Sequence, residues 1–276
     1  MPTWLQSFVP HLSDPTPLVN MRLDPEEFSR RVSSVCVNRV WRSTRANRHL
    51  ASAELLRSYL SGRSQLRVLD VGVSDGVTTL DLAEVLSDKF SILYVTDMYL
   101  ALRVAQRNGM TYFYDENEFR CVFVASDWLI YYSTDNRRWN PLAWIARTVC
   151  ERAPQIESGN SQSLSLLNPK LRQLAATDVR LQLAVWDVFT PWPREPVDIV
   201  RAANILNPAY FEAEALGVAL SQIGAALRSG GLFLVVDNRN EEASTLFEKH
   251  GNRFVPAARL GAGCEIEALA QRVVLS

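Results

Sequence analysis

Val68-Leu69-Asp70-Val71-Gly72-Val73-Ser74-Asp75-Gly76 is the stretch on which the reading of this chain turns. Leu66–Val71 is a short apolar run of strand length, and Leu80-Asp81-Leu82-Ala83-Glu84-Val85-Leu86 behind it reads as a helix. Between them lies a tight turn with glycines at 72 and 76. Glycine carries no Cβ, so the backbone there can come close to a ligand, and the unpaired N–H groups opening a helix favour an anionic group. Asp97 ends the next strand, Phe90–Asp97, 25 residues beyond Gly72. A carboxylate at that place can accept hydrogen bonds from both ribose hydroxyls of a nucleoside. The two glycines alone would fit any tight turn; with the acid they predict a nucleoside cofactor.

The glycine spacing narrows the choice. G-x-S-x-G differs from the G-x-G-x-x-G of NAD and FAD sites, and no G-x-x-x-x-G-K-[ST] phosphate cradle is present. The same spacing occurs in a hydrolase nucleophile elbow, with Ser74 as the attacking group. That elbow lies mid-sheet behind earlier strands, whereas only helices are predicted before residue 66.

Outward from this turn, strands and helices alternate. Leu181–Asp187 reads as a third strand, Val197–Ala203 as a fourth and Leu232–Asp237 as a fifth. A helix over Tyr210–Leu227 precedes the last, stopped by Ser229-Gly230-Gly231. Strands separated by helices predict an α/β fold, a parallel sheet wound on both faces. Arg253–Leu260 and Ala268–Leu275, joined through Gly261-Ala262-Gly263, predict an antiparallel pair at one edge. His250 falls near a helix expected after the fifth strand.

Upstream, residues 1–24 are proline-punctuated and read as irregular. Asp24-Pro25-Glu26-Glu27 is a helix start, and Leu55, Leu56, Tyr59 and Leu60 form a helical stripe stopped by Ser61-Gly62. The expected organisation is an extension over residues 1–61 and a main domain over 62–276. Roughly 70 residues between the second and third strands exceed the ~10–12 that a crossover needs. They predict an inserted subdomain at about 103–180. Within it, Thr111–Tyr114 and Phe119–Val124 read as a hairpin, with Trp128–Tyr132 as a third strand. Asn140-Pro141 starts a helix presenting Leu142, Ile145 and Val149, and Ser158–Ser163 is a joint. Insertions beside a ligand crevice often bind substrate, so an acceptor-binding lid is expected, with simple packing as the alternative; Trp139, Trp144, Arg147 and Arg152 would also suit a membrane interface.

Composition bounds the rest. The chain has 276 residues, 47% of them hydrophobic, and a formal net charge of −1, which gives no overall attraction to nucleic acid. Arg30 to Arg67 holds nine arginines and one acid, Glu54. This basic stretch would suit an anionic partner or a solvated face. Cys36, Cys121, Cys150 and Cys264 lie far apart, and with His11, His49 and His250 they show no metal-ligand spacing. The N-terminus lacks the pattern of a signal peptide, and no run reaches the ~18 apolar residues of a membrane span. A cytoplasmic protein is expected, its oligomeric state left open.

Asp70-Val71-Gly72-Val73-Ser74-Asp75-Gly76 resembles the first motif, D/E-x-G-x-G-x-G, of the class I S-adenosylmethionine-dependent methyltransferases, with Ser74 in place of the middle glycine. Leu227-Arg228-Ser229-Gly230-Gly231 is similar to that family's L-(K/R)-P-G-G corner. The resemblance covers residues 65–276 and implies a seven-stranded Rossmann-like sheet of order 3-2-1-4-5-7-6. It implies S-adenosylmethionine as cofactor, cradled by Asp70, Gly72, Ser74 and Gly76. Asp97 would take the ribose, Asp187 and Val188 the adenine, and Ala203 and Asn204 would lie toward the transferable methyl group. Asn207-Pro208-Ala209-Tyr210 superficially resembles the [DNS]-P-P-[YFW] motif of amine-directed enzymes, but lies three residues late and lacks the second proline. Arg201–Phe211 is closer to the R-N-V-x-I-Y-F stretch of chemotaxis-receptor methyltransferases, although two alanines separate arginine from asparagine here.

The activity implied is methyl transfer, an in-line displacement to which holding the reactants in line contributes up to ~7–11 kcal/mol. A small-molecule acceptor is expected. Alternatives are a chemotaxis-like protein carboxyl methyltransferase, whose insertion would dock a peptide, and a non-catalytic S-adenosylmethionine-binding protein. An NAD-dependent oxidoreductase is disfavoured by the glycine spacing. No histidine lies in any motif, so no catalytic base is assigned.

Overall fold

The computed structural model describes residues 17–20, 23–33, 35–37, 40–42, 44–116, 120–125, 130–132, 141–156, 160–238 and 241–275. Several sequence expectations lie outside these residues: the irregular stretch over 1–16, Trp128 and Leu129, Trp139 and Asn140, and Ser158-Gly159. In chain order the elements begin with α1 (Pro17–Asn20), α2 (Pro25–Val32), β1 (Cys36–Val37), β2 (Val40–Trp41) and α3 (Leu50–Tyr59). Next come β3 (Leu66–Val71), α4 (Val77–Val85), β4 (Phe90–Asp97), β5 (Ala101–Arg107), β6 (Met110–Tyr114), β7 (Cys121–Ala125) and β8 (Ile130–Tyr132). The chain continues through α5 (Pro141–Glu151), β9 (Gln162–Ser165), α6 (Pro169–Thr177), β10 (Leu181–Val185) and β11 (Val197–Ala203). It ends with α7 (Ala213–Ala226), β12 (Leu227–Asn238), β13 (Glu242–His250), β14 (Arg253–Leu260) and α8 (Glu267–Arg272).

Two compact units result: Met1–Thr44 with Tyr99–Lys170, and Arg45–Met98 with Leu171–Ser276. The division differs from the expected boundaries at residue 61 and at about 103–180. Residues 45–61 belong with the large sheet, because α3 packs on β12, β13 and β14 and on α4. The described residues of the stretch 17–44 group instead with the insertion.

The smaller unit is a five-stranded antiparallel sheet of order β8-β7-β6-β5-β9. The expected hairpin and third strand are its β6, β7 and β8; β5 and β9 were not anticipated. Asn108-Gly109 turns β5 into β6, both residues with positive φ (52° and 73°). That is the strongest short-range hairpin signal a sequence carries. Asp24 caps α2, its Oδ1 accepting from the N–H groups of Glu26 and Glu27 at 3.0 Å each. Phe28 and Val32 of α2 then bury against Leu102, Val104, Phe113, Phe123 and Leu164. Asn168 Nδ2 donates to Pro25 O at 3.0 Å and Ser29 Oγ at 2.9 Å, fixing α2 further. On the opposite side Tyr114, Cys121, Val124 and Cys150 form a second small core.

The larger unit is a seven-stranded sheet of order β10-β4-β3-β11-β12-β13-β14. The first four pairings are parallel and the last two antiparallel. Its strands, taken in chain order, lie 3-2-1-4-5-6-7, which corrects the expected 3-2-1-4-5-7-6. Only residues 239–241 separate β12 from β13. Leaving room for a later strand between them would require a crossover of a dozen residues or so, so β13 pairs directly with β12. Two local expectations are corrected as well. Residues 242–250 are a strand where a helix was expected, placing exposed His250 at its end beside Glu248. Residues 267–272 are a helix where a strand was expected. Glu-Ala-Leu-Ala-Gln-Arg is composed of strong helix formers; β13, by contrast, is buried through Ser244–Phe247 and takes its form from its neighbours.

Side chains alternate across a strand, and this distributes the helices. Leu69, Val200, Ala202, Phe233 and Val235 share a core with Leu216, Leu220 and Ile223 of α7 and Ala270 of α8. Asp70 and Arg201, on the other face, meet Thr78 and Thr79 of α4. Among the described residues no helix is long and apolar enough to cross a membrane.

Candidate functional site

The candidate residues gather along the carboxyl edge of the larger sheet. Asp97 ends β4, Gly72 follows β3 and Asn204 follows β11, while Asp187 lies two residues beyond β10. The register puts Val185 beside Asp97, Val71 beside Thr96 and Ala202 beside Val71. Four neighbouring strands thus present these residues side by side. Chain order reverses at β3, with β4 on one side and β11 on the other. In open α/β sheets such a switch point is where ligands bind.

The turn after β3 is held by β4. Gly72 and Val73 N–H donate to Thr96 O at 2.8 and 3.1 Å, and Ser74 N–H donates to Asp97 Oδ2 at 2.8 Å. The predicted ribose acid and the predicted glycine motif are therefore in direct contact. Gly72, Ser74 and Gly76 all have positive φ, at 68°, 59° and 78°; Ser74 adopts a left-handed conformation at a cost of about 1–2 kcal/mol. A Cβ on Gly72 would run into Ile205 Cδ1, and one on Gly76 into Leu171 Cδ2. A side chain at either position would have to displace the end of that neighbour, and the left-handed backbone favours glycine at both. Asp75 is buried and its Oδ1 accepts from Val77 N–H at 3.0 Å, which satisfies one donor at the start of α4.

Asp70 stands apart from the open edge. It is 1% exposed and bound by Arg201, also 1% exposed, so it braces β3 against β11. Asp187 is half-buried; its Oδ1 accepts from Phe189 N–H at 3.0 Å. Val188 is buried in the core beside Trp186 and Trp192. Ala203 and Asn204 are half-buried.

Asn204 introduces a residue that no motif singled out. Its φ is 56°, its N–H donates to Val236 O at 2.8 Å, and its Oδ1 accepts from Asn238 N–H at 2.8 Å. Its Nδ2 lies 3.2 Å from His49 Nε2. His49 precedes α3 and is 3% exposed. Burial and the guanidinium groups of Arg201 and Arg48 depress its pKa to about 3. Arg48 Nη2 donates to Asn238 O at 3.1 Å and Arg48 O accepts from Asn238 Nδ2 at 3.2 Å. Arg48 and His49 lie within the basic stretch between Arg30 and Arg67, and nothing in the local pattern links His49 to a residue 155 positions away.

No protein-family model and no curated protein matches this chain. Solved structures align with it loosely. N-methyltransferase NodS from Bradyrhizobium japonicum WM9, in complex with S-adenosyl-L-homocysteine, is 16% identical with a TM-score of 0.34 and covers 67% of this chain. NcsB1, an O-methyltransferase from neocarzinostatin biosynthesis, in complex with S-adenosyl-L-homocysteine and 1,4-dihydroxy-2-naphthoic acid, is 15% identical with a TM-score of 0.31 over 67% of this chain. A putative S-adenosyl-L-methionine-dependent methyltransferase from Methanococcus maripaludis is 13% identical with a TM-score of 0.37 over 79%. All three are described as methyltransferases. The matches span 59%, 39% and 66% of those proteins' chains, in each case less than two thirds.

Proposed function

We propose that the larger unit binds S-adenosylmethionine along the carboxyl ends of β3, β4, β10 and β11 and passes its methyl group to a small-molecule acceptor. The observation that carries this reading is the direct contact of Asp97 with the left-handed turn at Ser74, at the switch point of the sheet. One N–H of the turn fixes the Asp97 carboxylate, the group proposed to receive the ribose hydroxyls. Asp187 and Val188 follow the next strand and are assigned to the adenine. Ala203 and Asn204 follow β11 and are assigned to the end where transfer occurs. Gly72, Ser74 and Gly76 shape the turn, and Asp70 acts on it indirectly through Arg201 and Thr79.

The cofactor supplies an electrophilic methyl group on a sulfonium, and the protein's task is to hold acceptor and methyl in line. His49 is neutral near pH 7 and its Nε2 faces the Asn204 amide, so its imidazole is not placed to take a proton from the acceptor.

Calorimetry with S-adenosylmethionine, S-adenosylhomocysteine and NAD tests the reading. Binding of the first two and not of NAD is expected. Asp97→Ala should weaken binding about tenfold or more, since hydrogen bonds to a charged group contribute roughly 1.5–3 kcal/mol. Binding of NAD alone, or an Asp97→Ala protein that binds like the parent, would refute the assignment.

A further inference from the structure

We propose that Cys121 and Cys150 are a redox pair, which hydrogen peroxide joins in a disulfide that staples α5 to β7. The inference concerns the smaller unit and stands apart from the cofactor reading. It starts from where the two cysteines are held. Cys121 opens β7 and lies directly opposite Tyr114 of β6. The Tyr114 hydroxyl donates to Pro154 O at 2.8 Å, so the chain leaving α5 is tied to the strand pair that carries Cys121. Cys150 lies in the last turn of α5, about one helical turn before Pro154, and Ala153 N–H donates back to Cys150 O at 3.2 Å. Tyr114, Cys121, Val124 and Cys150 accordingly share one core, and the two thiols hydrogen-bond each other within it.

That placement suits a bridge. A disulfide needs cysteines on neighbouring elements with their sulfurs facing, and α5 packs on β7 with the sulfurs in hydrogen-bond reach. The shared hydrogen bond also divides the chemistry between them. It draws the Cys150 thiol below its ordinary range, against its burial, and together with burial it raises that of Cys121. The thiolate is the nucleophile, so Cys150 reacts first. Its sulfur attacks one peroxide oxygen, the O–O bond breaks, and a sulfenic acid and hydroxide form. The Cys121 sulfur then attacks the Cys150 sulfur and displaces the hydroxyl as water. Each sulfur gives up one electron and the peroxide takes both, while the two thiol protons leave in the two waters formed. Each cysteine is 6% exposed, which suits an oxidant as small as peroxide, and Cys150 lies where a helix end frays. Cys264 is a built-in contrast, since among the described residues it shares its core with no second cysteine.

Hydrogen peroxide added to the native full chain tests the pair. The intact mass should fall by two hydrogens, peptide mapping should give one Cys121–Cys150 link, and Cys264 should still alkylate after unfolding. In Cys121→Ala, peroxide should leave a sulfenic acid on Cys150 that dimedone traps. The oxidised parent should unfold at a temperature higher by about 5 °C or more, because the bridge closes a loop of about 30 residues in the unfolded chain. Dithiothreitol should reverse the rise, and Cys150→Ala should show neither bridge nor rise. An unbridged pair, whether still alkylated or oxidised further, would overturn the proposal, as would a link to Cys36 or a bridge that forms only in urea. A bridge that lowers the unfolding temperature would overturn it as well, since the native contact would have to break for the bridge to close.

Discussion

Arg201 and Asp70 face each other across neighbouring strands as a two-pronged ion pair sealed inside the protein. Nε meets Oδ1 at 2.8 Å and Nη2 meets Oδ2 at 2.6 Å, while Nη1 donates to Thr78 O at 3.1 Å and Thr79 Oγ1 donates to Oδ2 at 2.7 Å. The two residues are direct partners in the β3–β11 register, so the pair couples both central strands to the first turn of α4. Removing one charge leaves the other buried and uncompensated, which typically costs about 3–5 kcal/mol. Arg201→Leu should lose stability on that scale in urea unfolding, and the apolar double replacement Asp70→Leu with Arg201→Met should lie nearer the parent. A single variant within about 1 kcal/mol of the parent would contradict this account.

A Cβ on Gly76 would meet the Cδ2 end of Leu171, which would have to move aside. Gly76→Ala should therefore be destabilising for two separable reasons. The left-handed backbone contributes about 1–2 kcal/mol, and overpacking against Leu171 adds about 1–3 kcal/mol. In a Leu171→Ala background the second part should vanish, so the same substitution should cost less there. Equal costs in both backgrounds, measured by denaturant unfolding, would show that the contact does not matter.

The state of His49 makes stability depend on pH. Its folded pKa of about 3 lies below the 6.5 of a free imidazole, so between these values the unfolded chain binds the proton and the folded chain does not. Stability from this group is complete above pH 6.5 and declines as the pH falls toward 3, at up to about 1.4 kcal/mol per unit. The parent should lose stability between pH 6.5 and pH 5 faster than His49→Phe. Parallel pH profiles for the two proteins would refute the depressed pKa.

The two-unit division alters what an excision should do. Replacing residues 110–160 by a short linker removes β6, β7 and β8 and uncovers Leu102, Val104, Phe28 and Val32, which bury against them. That protein should aggregate. Joining Arg45–Met98 to Leu171–Ser276 by a linker, with Met1–Thr44 also removed, keeps one complete core and should yield a folded sheet by circular dichroism. A soluble first variant and an unfolded second would reverse the assignment of the N-terminal segment.

Some features were legible in the residues alone. The strands over 66–71, 90–97 and 197–203 fall where the apolar runs and bounding turns put them, and the Asp24 cap starts α2 as read. Such signals act within a few residues, through side-chain period, caps and turn conformation. The turn at Gly72 and Gly76 was legible as a turn, and Asp97 as the acid ending the next strand. The Asn108-Gly109 turn is a local signal of the same kind.

The tertiary structure decided the rest. Residues 242–250 become a strand because β12 and β14 flank them and both faces are covered, which local preference does not encode. The sheet's edge order follows from the shortness of the β12–β13 connection. The described part of residues 17–44 sides with the insertion because Phe28 and Val32 find their apolar partners there. Ile205 and Leu171 fill the space beside the two glycines, and His49 meets Asn204 across 155 residues of sequence. Contacts at such separations are fixed by which surfaces pack once the chain has closed on itself, and a pattern read a few residues at a time carries no record of them.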